Sequence, residues 1–281
     1  MGNNISIVTA FFDIGRGEIG EEFPSYLKRT TDTYFEYFSN LALLENEMVI
    51  FTSKEWEEKI LKIRNGKPTK IIIIDLKKKF RRQLEVIKKI QESKEFKNKI
   101  NKDMILNIEY WSPEYVLVTN LKAYFINYAI NKKLLYNNLV SWVDFGYIRE
   151  TKTLNNVRYW KYDFDKEKIH FFTIRKKFPL KSKKDVYEAI FNNTVFIIGG
   201  AIVGSKNKWK EFYIFLKNNQ NELLNENIVD DDQGLYMMSL FKNPELFKLN
   251  YLGKNNWFLL FEKYDETSKI NLFEKIKDIF L

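Results

Sequence analysis

The chain has 281 residues, of which 45% are hydrophobic and 16% aromatic, so it carries enough apolar side chain to bury a core and is not intrinsically disordered. It contains no cysteine and a single histidine, which excludes disulfides, thiol nucleophiles and metal centres built from several histidines. The 46 basic residues exceed the 37 acidic ones by nine, a balance that favours anionic partners such as nucleotides, phosphates, acidic glycolipids or nucleic acid.

Short apolar runs alternate with helical patterns along the chain, which predicts an α/β fold rather than a bundle or a sandwich. Residues 5–12 are apolar enough to form a buried first strand. After a glycine-bearing loop, the capping-box spacing of Thr33 and Glu36 predicts a helix that starts near Thr31. The next predicted elements are a strand at 48–52, a helix at 54–63, a strand at 71–74 and a basic helix at 77–93. This order makes the first half a βαβαβ unit.

The second half of the chain has a less regular pattern with more antiparallel character. It is predicted to contain a helix at 115–132, a strand at 139–143, a helix at 183–191, a strand at 195–198 and a helix at 206–225. The lone His170 is interpreted as a half-buried packing residue on a further strand rather than as a metal ligand. Because no repeat and no Pro- or Gly-rich linker marks a boundary, we expect a single domain.

The sequence also bears on location. No apolar run approaches the roughly 20 residues that a membrane span needs, and the N-terminus lacks the pattern of a secretory signal, so we expect a cytoplasmic protein. The basic runs at 77–82 and 175–177 are interpreted as solvated faces that could also dock on an acidic membrane surface.

Residues 15–20 have the sequence Gly-Arg-Gly-Glu-Ile-Gly, the G-x-G-x-x-G pattern of dinucleotide-binding loops, directly after the first predicted strand. In such a fold the helix begins inside the glycine loop, whereas here two glutamates and Pro24 intervene. The second strand also ends at Thr52 without an acidic residue that would bind a ribose. An NAD-dependent oxidoreductase is therefore less favoured than a loop that contacts a nucleotide in another way or forms a simple turn.

Two groups of carboxylates lie next to predicted elements, one after a strand and one before a helix. Asp144 comes directly after the strand at 139–143, at the edge where open α/β sheets bind ligands. A charge there needs a cation or hydrogen-bond donors, so we favour a metal or ligand contact over a turn residue before Gly146. Residues 230–232 are three consecutive aspartates ahead of a helical pattern. Their mutual repulsion raises at least one pKa, which suits a general base, although capping of a helix is also an ordinary role for aspartate.

Several cations lie where a phosphate could bind. Helix N-termini together with Arg or Lys make good diphosphate sites, although most lysines of a basic chain are solvated. The candidates are Arg16 in the glycine loop, Lys28 and Arg29 before the first helix, and Lys122 ahead of the strand that ends at Asp144.

The segment Thr9-Ala10-Phe11-Phe12-Asp13-Ile14-Gly15-Arg16-Gly17 resembles the opening of the HtrL/YibB proteins. Further blocks resemble that family in the same order, and together they cover most of residues 5–250. The first block and the block at Trp142 are quite specific, whereas Gly-Gly and Asp-Gln alone would be weak. These further blocks are Arg29-Thr30-Thr31-Asp32-Thr33-Tyr34, Asn120-Leu121-Lys122, Trp142-Val143-Asp144-Phe145-Gly146-Tyr147, Gly199-Gly200 and Asp232-Gln233.

The resemblance implies a GT-A-type glycosyltransferase with a Rossmann-like N-terminal half and a mixed sheet, in which residues 1–146 bind the nucleotide and 147–281 the acceptor. We expect transfer of a hexose from a nucleotide diphosphate sugar, in particular a UDP-sugar, to a hydroxyl of a bacterial surface glycan such as lipooligosaccharide or O-antigen, with inversion. Peripheral contact with the inner membrane is expected, and nucleic acid is not. The donor-binding residues implied are Thr9, Ala10, Asp13, Arg16, Arg29, Asp32, Asn120, Lys122, Trp142, Asp144, Gly199, Gly200 and Gln233.

A metal and a base are expected at this site. Asp144 is the expected ligand of Mn²⁺ or Mg²⁺, because hard oxygen ligands and phosphate suit these ions. The D-x-D signature of GT-A enzymes is reduced here to Asp144-Phe145-Gly146. Lys122 and the arginines are therefore the alternative means of neutralising the leaving diphosphate. Asp232 is the expected base and Asp231 its alternate, while the two glycines at 199–200 are expected to let the donor sugar or acceptor approach the backbone.

A non-catalytic basic module that binds RNA or an acidic glycan is the alternative from a different class. It is motivated by the nine excess positive charges and the aromatic content. Binding by such a module would depend steeply on salt. The module would also tolerate the loss of Asp144 and Asp232, whereas a transferase would not.

Overall fold

The computed structural model describes residues 4–266, and its centre is a mixed sheet of seven strands. The strands are β1 (Ile5–Phe11), β2 (Met48–Thr52), β3 (Thr69–Ile73), β4 (Leu139–Val143), β5 (Ile169–Thr173), β6 (Ile197–Ser205) and β7 (Phe247–Tyr251). Their order across the sheet is β3-β2-β1-β4-β6-β5-β7. The first four in that order are parallel, β6 is antiparallel to β4 and β5, and β7 is parallel to β5. The predicted α/β class, with a Rossmann-like first half and a mixed sheet, is confirmed.

Helices cover both faces of the sheet. They are α1 (Thr31–Leu41), α2 (Glu57–Arg64), α3 (Leu76–Lys79), α4 (Arg81–Glu92), α5 (Lys94–Lys99), α6 (Pro113–Asn120), α7 (Lys122–Asn131), α8 (Lys183–Phe191), α9 (Lys206–Asn225), α10 (Asp232–Lys242) and α11 (Leu260–Lys263). Within residues 4–266, none of them combines the length and the apolar character that a membrane span requires.

The two faces of β1 enter two separate hydrophobic cores. Ile7 and Phe11 pack with α1, α2 and α11, whereas Val8 and Ala10 pack with α4, α6, α7, α9 and α10. Alternate side chains of a strand point to opposite faces, so a strand covered on both sides is apolar at nearly every position. This is why the first strand could be predicted from an uninterrupted apolar run.

Several predicted boundaries are wrong for identifiable reasons. The helix predicted at 77–93 is divided at Phe80 into α3 and α4, and the one predicted at 115–132 is divided at Leu121 into α6 and α7. The capping box predicted at Thr33 does not form, because the Thr30 hydroxyl caps α1 by accepting from the backbone N–H of Thr33 at 3.2 Å. The strand predicted at 195–198 begins later and is longer, since its two glycines continue the pleat into β6.

The topology brings segments from both halves of the chain to one edge. The parallel strands β1 and β4 end at this edge, and their following loops lie there. β6 runs antiparallel to β4, so its first residues meet the end of β4, and the backbone N–H of Asp144 donates to the carbonyl of Gly200 at 2.9 Å. The N-terminus of α10 reaches the same edge, because the Gln233 side chain hydrogen-bonds both backbone groups of Ile197.

Candidate active site

A cavity of about 610 Å³ lies at this edge of the sheet. Its wall combines the loops after β1 and β4, the start of β6 and the N-terminus of α10. Most of the predicted site residues line it, namely Ala10, Asp13, Arg16, Arg29, Lys122, Trp142, Asp144, Gly199, Gly200, Asp231, Asp232 and Gln233.

Three predicted residues do not line the cavity. Thr9 is completely buried within β1. The Asp32 side chain is 92% exposed and pairs with Lys59 of α2 at 3.2 Å, so it points to solvent rather than toward a base or ribose. Asn120 supports the aspartate loop from behind, because its Nδ2 donates to the carbonyl of Asp230 at 3.1 Å.

Lys122 connects the two carboxylates that were predicted to act separately. Its Nζ lies 2.9 Å from Asp144 Oδ1 and 2.5 Å from Asp232 Oδ2, and it donates to the carbonyl of Gly199 at 2.8 Å. Trp142 Nε1 also donates to Asp144 Oδ1 at 2.6 Å. Burial by itself would lower the pKa of Lys122, but the two carboxylates raise it above the ordinary value. Lys122 is therefore an ammonium ion, only 4% exposed, at the centre of the acidic groups.

The two glycines of β6 make room for protein groups rather than for open space. A Cβ at position 199 would lie 2.5 Å from Asp232 Oδ1, and one at position 200 would lie 2.8 Å from the ring of Tyr147. Any larger residue at position 199 would therefore push Asp232 away from Lys122. Gly199 thus makes room for the ion cluster and Gly200 for Tyr147, while both line the cavity, and their expected role of admitting substrate stays a prediction.

The aspartates before α10 combine capping with perturbed ionisation. Asp231 caps the helix, since its Oδ1 accepts from the backbone N–H of Gln233 at 2.9 Å, and Asp230 Oδ2 accepts from Gly234 N at 2.8 Å. Burial, and then the charge of the neighbouring carboxylate, raise the pKa of Asp230 and of Asp231. Both interpretations of the aspartate run, as caps and as a source of raised pKa, therefore hold together.

Three arginines line the cavity without a carboxylate partner. Arg16 is 6% exposed, and its guanidinium donates to the carbonyl of Leu27 and to the Tyr34 hydroxyl. Arg29 and Arg149 belong to the same wall, and burial, followed by the charge of Arg29, lowers the pKa of Arg149. None of the three forms an ion pair with a carboxylate in the described part of the chain. Uncompensated guanidinium groups in one cavity favour a bound anion.

Among the cavity-wall residues that were not predicted, two carry charge, Arg149 and Glu109. Arg149 follows the specific Trp142 block closely. Its position in the loop after β4 could have identified it as a candidate phosphate-binding residue. Glu109 lies in a short 3-10 turn, is 5% exposed, and has an Oε1 atom with no hydrogen-bond partner among residues 4–266. Burial raises its pKa to about 7, against the opposing effects of its own backbone N–H and of Arg16. No sequence pattern identifies it.

The residues present do not fit a divalent ion held between protein carboxylates. Within residues 4–266 no group of three or more acidic or histidine side chains could hold a metal ion. Asp144 and Asp232 already share the ammonium of Lys122. At Gly146, where D-x-D has its second carboxylate, a Cβ would lie 3.1 Å from the Tyr34 ring. The expectation of Mn²⁺ or Mg²⁺ with Asp144 as its single protein carboxylate stays a prediction. His170, which was expected to be half-buried, is fully buried in β5 and lies outside the cavity.

Comparisons with known proteins find sequence relatives and weak structural likenesses. Residues 3–266 match the family model described as "Bacterial protein of unknown function (HtrL_YibB)". Protein HtrL of Escherichia coli (strain K12) is 50% identical over 263 residues, which are 93% of this chain and 92% of that protein.

Among solved structures, mouse xyloside xylosyltransferase 1 in its apo form aligns with a TM-score of 0.41 and 8% identity, over 87% of this chain and 84% of that one. The 4-diphosphocytidyl-2C-methyl-D-erythritol synthase of Anaerococcus prevotii DSM 20548 aligns with a TM-score of 0.40 and 15% identity, over 100% and 97%. Likenesses of this strength assign no function, which has to be argued from the cavity.

Proposed function

We propose that this chain, which belongs to the HtrL/YibB family of bacterial proteins, transfers a hexose from a nucleotide diphosphate sugar to a hydroxyl group of a bacterial surface glycan. One observation carries the proposal: a single cavity contains three arginines that form no ion pair with a carboxylate among residues 4–266, together with the Asp144–Lys122–Asp232 cluster. Guanidinium groups suit a diphosphate, and carboxylates suit sugar hydroxyls. A UDP-sugar is the proposed donor, and lipooligosaccharide or O-antigen the proposed acceptor.

The cations of the cavity would stabilise the leaving diphosphate. Negative charge develops on its oxygen as the bond to the sugar breaks, and preorganised cations in a partly buried site stabilise that charge most effectively. Arg16 and Lys122 are both buried and fixed by hydrogen bonds, so they would need little rearrangement. Asp144 would then hold Lys122 in position, and no step requires a metal ion.

The proposed base is Asp231 rather than the expected Asp232. Asp232 is 6% exposed and ion-paired with Lys122, so its carboxylate already has a partner. Asp231 is partly exposed to the cavity and forms no ion pair among residues 4–266, so its carboxylate is open to an acceptor hydroxyl, and burial raises its pKa above the ordinary value. The acceptor proton would pass to Asp231 while the acceptor oxygen bonds to the anomeric carbon and the diphosphate leaves from the opposite side. This sequence inverts the configuration.

The base assignment is tested by Asp231→Asn. We expect kcat to fall by about 10² to 10⁴ while the Kd for UDP changes by less than about twofold, because asparagine keeps the cap but cannot accept the proton. Asp75→Asn is the matched control, since Asp75 also caps a helix, accepting from Lys78 N at 3.0 Å, but lies outside the cavity. Full turnover in Asp231→Asn, with loss in Asp232→Asn, would return the role to Asp232.

Donor class is tested by a screen of nucleotide sugars for slow hydrolysis, with and without EDTA, together with calorimetry of UDP binding. We expect Arg149→Ala to weaken UDP binding by about tenfold, because it removes a charged phosphate contact. Arg158→Ala serves as the control, since Arg158 is exposed and pairs with Glu45 away from the cavity. Binding of RNA that depends steeply on salt, with no turnover of any nucleotide sugar, would favour the basic binding module instead.

Location and membrane contact are proposed together with the acceptor. The basic run Lys77, Lys78, Lys79, Arg81 and Arg82 is exposed on α3 and α4. We propose that it rests on the cytoplasmic surface of the inner membrane, where a glycolipid acceptor would be anchored.

A further inference from the structure

Glu109 is a buried carboxylate of which one oxygen, Oε1, lacks a hydrogen-bond partner among residues 4–266, although the charge of Arg16 partly offsets the effect of burial on its pKa. Its side chain lines the cavity, the residue is 5% exposed, and its Oε1 has no hydrogen-bond partner in the described part of the chain. Removing a carboxylate from water without giving it a partner is strongly unfavourable. A group left in this state in the wall of a binding cavity indicates that a ligand supplies the missing hydrogen bonds.

The backbone around Glu109 is fixed on both sides. The side chain of Gln91, on α4, donates to the carbonyl of Glu109 at 2.8 Å. The next residue, Tyr110, is 2% exposed and donates its hydroxyl to the carbonyl of Ile190 at 2.6 Å. The turn is therefore anchored to α4 and to the end of α8, which fixes the backbone position of Glu109 at the cavity wall.

A second carboxylate belongs to the same part of the wall. Asp231 lines the same cavity as Glu109, and after burial and the charge of Asp232, the charge of Glu109 also raises the pKa of Asp231. Asp231 forms no ion pair among residues 4–266. Two acids of this kind accept hydrogen bonds from hydroxyl groups, and the nearby charge of Arg16 lowers the pKa of Glu109 against the effect of burial.

We propose that Glu109 and Asp231 form an acidic subsite that accepts hydrogen bonds from the hydroxyl groups of a neutral sugar. A carboxylate has two oxygens, so it can accept hydrogen bonds from two adjacent hydroxyl groups of a sugar. A bound sugar would then donate the hydrogen bond that Oε1 of Glu109 lacks. The role of this subsite in glycosyl transfer rests on the proposed function. Sugar binding at Glu109 can be measured whether or not the protein is a transferase. The sugar is the hexose of the donor or the terminal sugar of the acceptor.

The test uses ligand-observed NMR with methyl glucoside, methyl galactoside and methyl mannoside at about 10 mM on the full chain. We expect at least one hexoside to bind the wild type with a millimolar Kd and to bind Glu109→Ala about tenfold more weakly. Glu109→Gln has the same shape and keeps one acceptor oxygen, so it should lose less, about threefold. Glu114→Ala is the control, because Glu114 is close in sequence but does not line the cavity.

UDP calorimetry on the same proteins separates the two proposals. Unchanged UDP binding in Glu109→Ala, with weakened hexoside binding, supports the subsite. If the wild type does not bind UDP, the donor proposal fails, but the hexoside result still decides the subsite. Equal hexoside binding by wild type, Glu109→Ala and Glu109→Gln, or none by the wild type, overturns the subsite. A preference for methyl glucosaminide that depends on Glu109 also overturns it, in favour of an ammonium ligand.

The source of the sugar is decided by kinetics. If the subsite holds the donor hexose, Glu109→Gln raises KM for the UDP-sugar in hydrolysis without acceptor. If it holds the acceptor, hydrolysis keeps its KM and only KM for the acceptor hexoside rises. In both cases kcat changes less than KM, whereas a purely structural role would lower UDP binding as well.

Discussion

We expect Lys122→Met to lower turnover by about 10³-fold and the free energy of unfolding by about 3 kcal/mol. Asp232 is buried and would lose its only ion-pair partner in the described chain. The Asp144 side chain is 41% exposed, so water can solvate it after its ion pair with Lys122 is removed. We therefore expect a loss of stability at the lower end of the range for broken buried ion pairs. Methionine keeps the length and apolar stem of lysine, which isolates the charge.

Urea denaturation and hydrolysis of the UDP-sugar measure the two effects. Lys206→Met is the control, because Lys206 Nζ also donates to a backbone carbonyl, that of Leu135 at 2.7 Å, but forms no ion pair with a carboxylate in the part of the chain that the structure describes and lies outside the cavity. The double variant Lys122→Met/Asp232→Asn should recover about half of the lost stability, since it removes the uncompensated charge. Equal stability of Lys122→Met and wild type would contradict the ion cluster.

The response to EDTA follows from the same cluster. If Lys122 supplies the positive charge that a metal would otherwise provide, chelation should change the wild-type rate by less than about twofold. A large loss of wild-type activity in EDTA, restored by Mn²⁺, would instead support the ion expected at Asp144. The comparison of rates with and without EDTA therefore decides whether Lys122 and the arginines or a metal ion at Asp144 stabilises the leaving diphosphate.

The fold was predictable where burial leaves a strong local pattern. The strands at 48–52 and 139–143 and the helices at 183–191 and 206–225 have the predicted bounds, because apolar runs and helical periodicity coincide with their ends. The breaks at Phe80 and Leu121 were not predicted, since helical periodicity continues across a local change of direction.

Several residues that line the cavity could be predicted individually, but their arrangement could not. Asp144, Lys122 and Asp232 could each be selected from sequence, by their place after a strand, before a strand and before a helix. That one ammonium serves both carboxylates depends on tertiary packing, since Lys122 and its Gly199 contact are 77 residues apart in the chain. Glu109 has no sequence signal, because its missing hydrogen bond exists only in the folded cavity.

We expect Glu109 to make the free protein less stable as pH rises, and Glu109→Gln to remove that effect. Burial raises its pKa from 4.5 to about 7 in the folded chain. Between pH 4.5 and pH 7 the folded state binds more protons than the unfolded state. The free energy of unfolding therefore falls as pH rises through this range, and the loss is complete above about pH 7. The shift corresponds to about 3 kcal/mol as an upper estimate. Burial also raises the pKa of Asp230, Asp231 and Asp232, which adds a slope of the same sign that this variant leaves in place.

Urea denaturation at several values from pH 5 to pH 8 gives the measurement. Glu109→Gln should match the wild type near pH 5 and exceed its free energy of unfolding by about 1–3 kcal/mol near pH 8. Glu47→Gln is the matched control, because Glu47 is also 5% exposed but accepts from Ser6 Oγ at 2.6 Å and from Tyr136 N at 2.9 Å. Its neutralisation should cost about 1–3 kcal/mol near pH 8. Parallel pH curves for Glu109→Gln and the wild type would mean that Glu109 finds a partner in the free protein, and the argument for a ligand at that position would then fail.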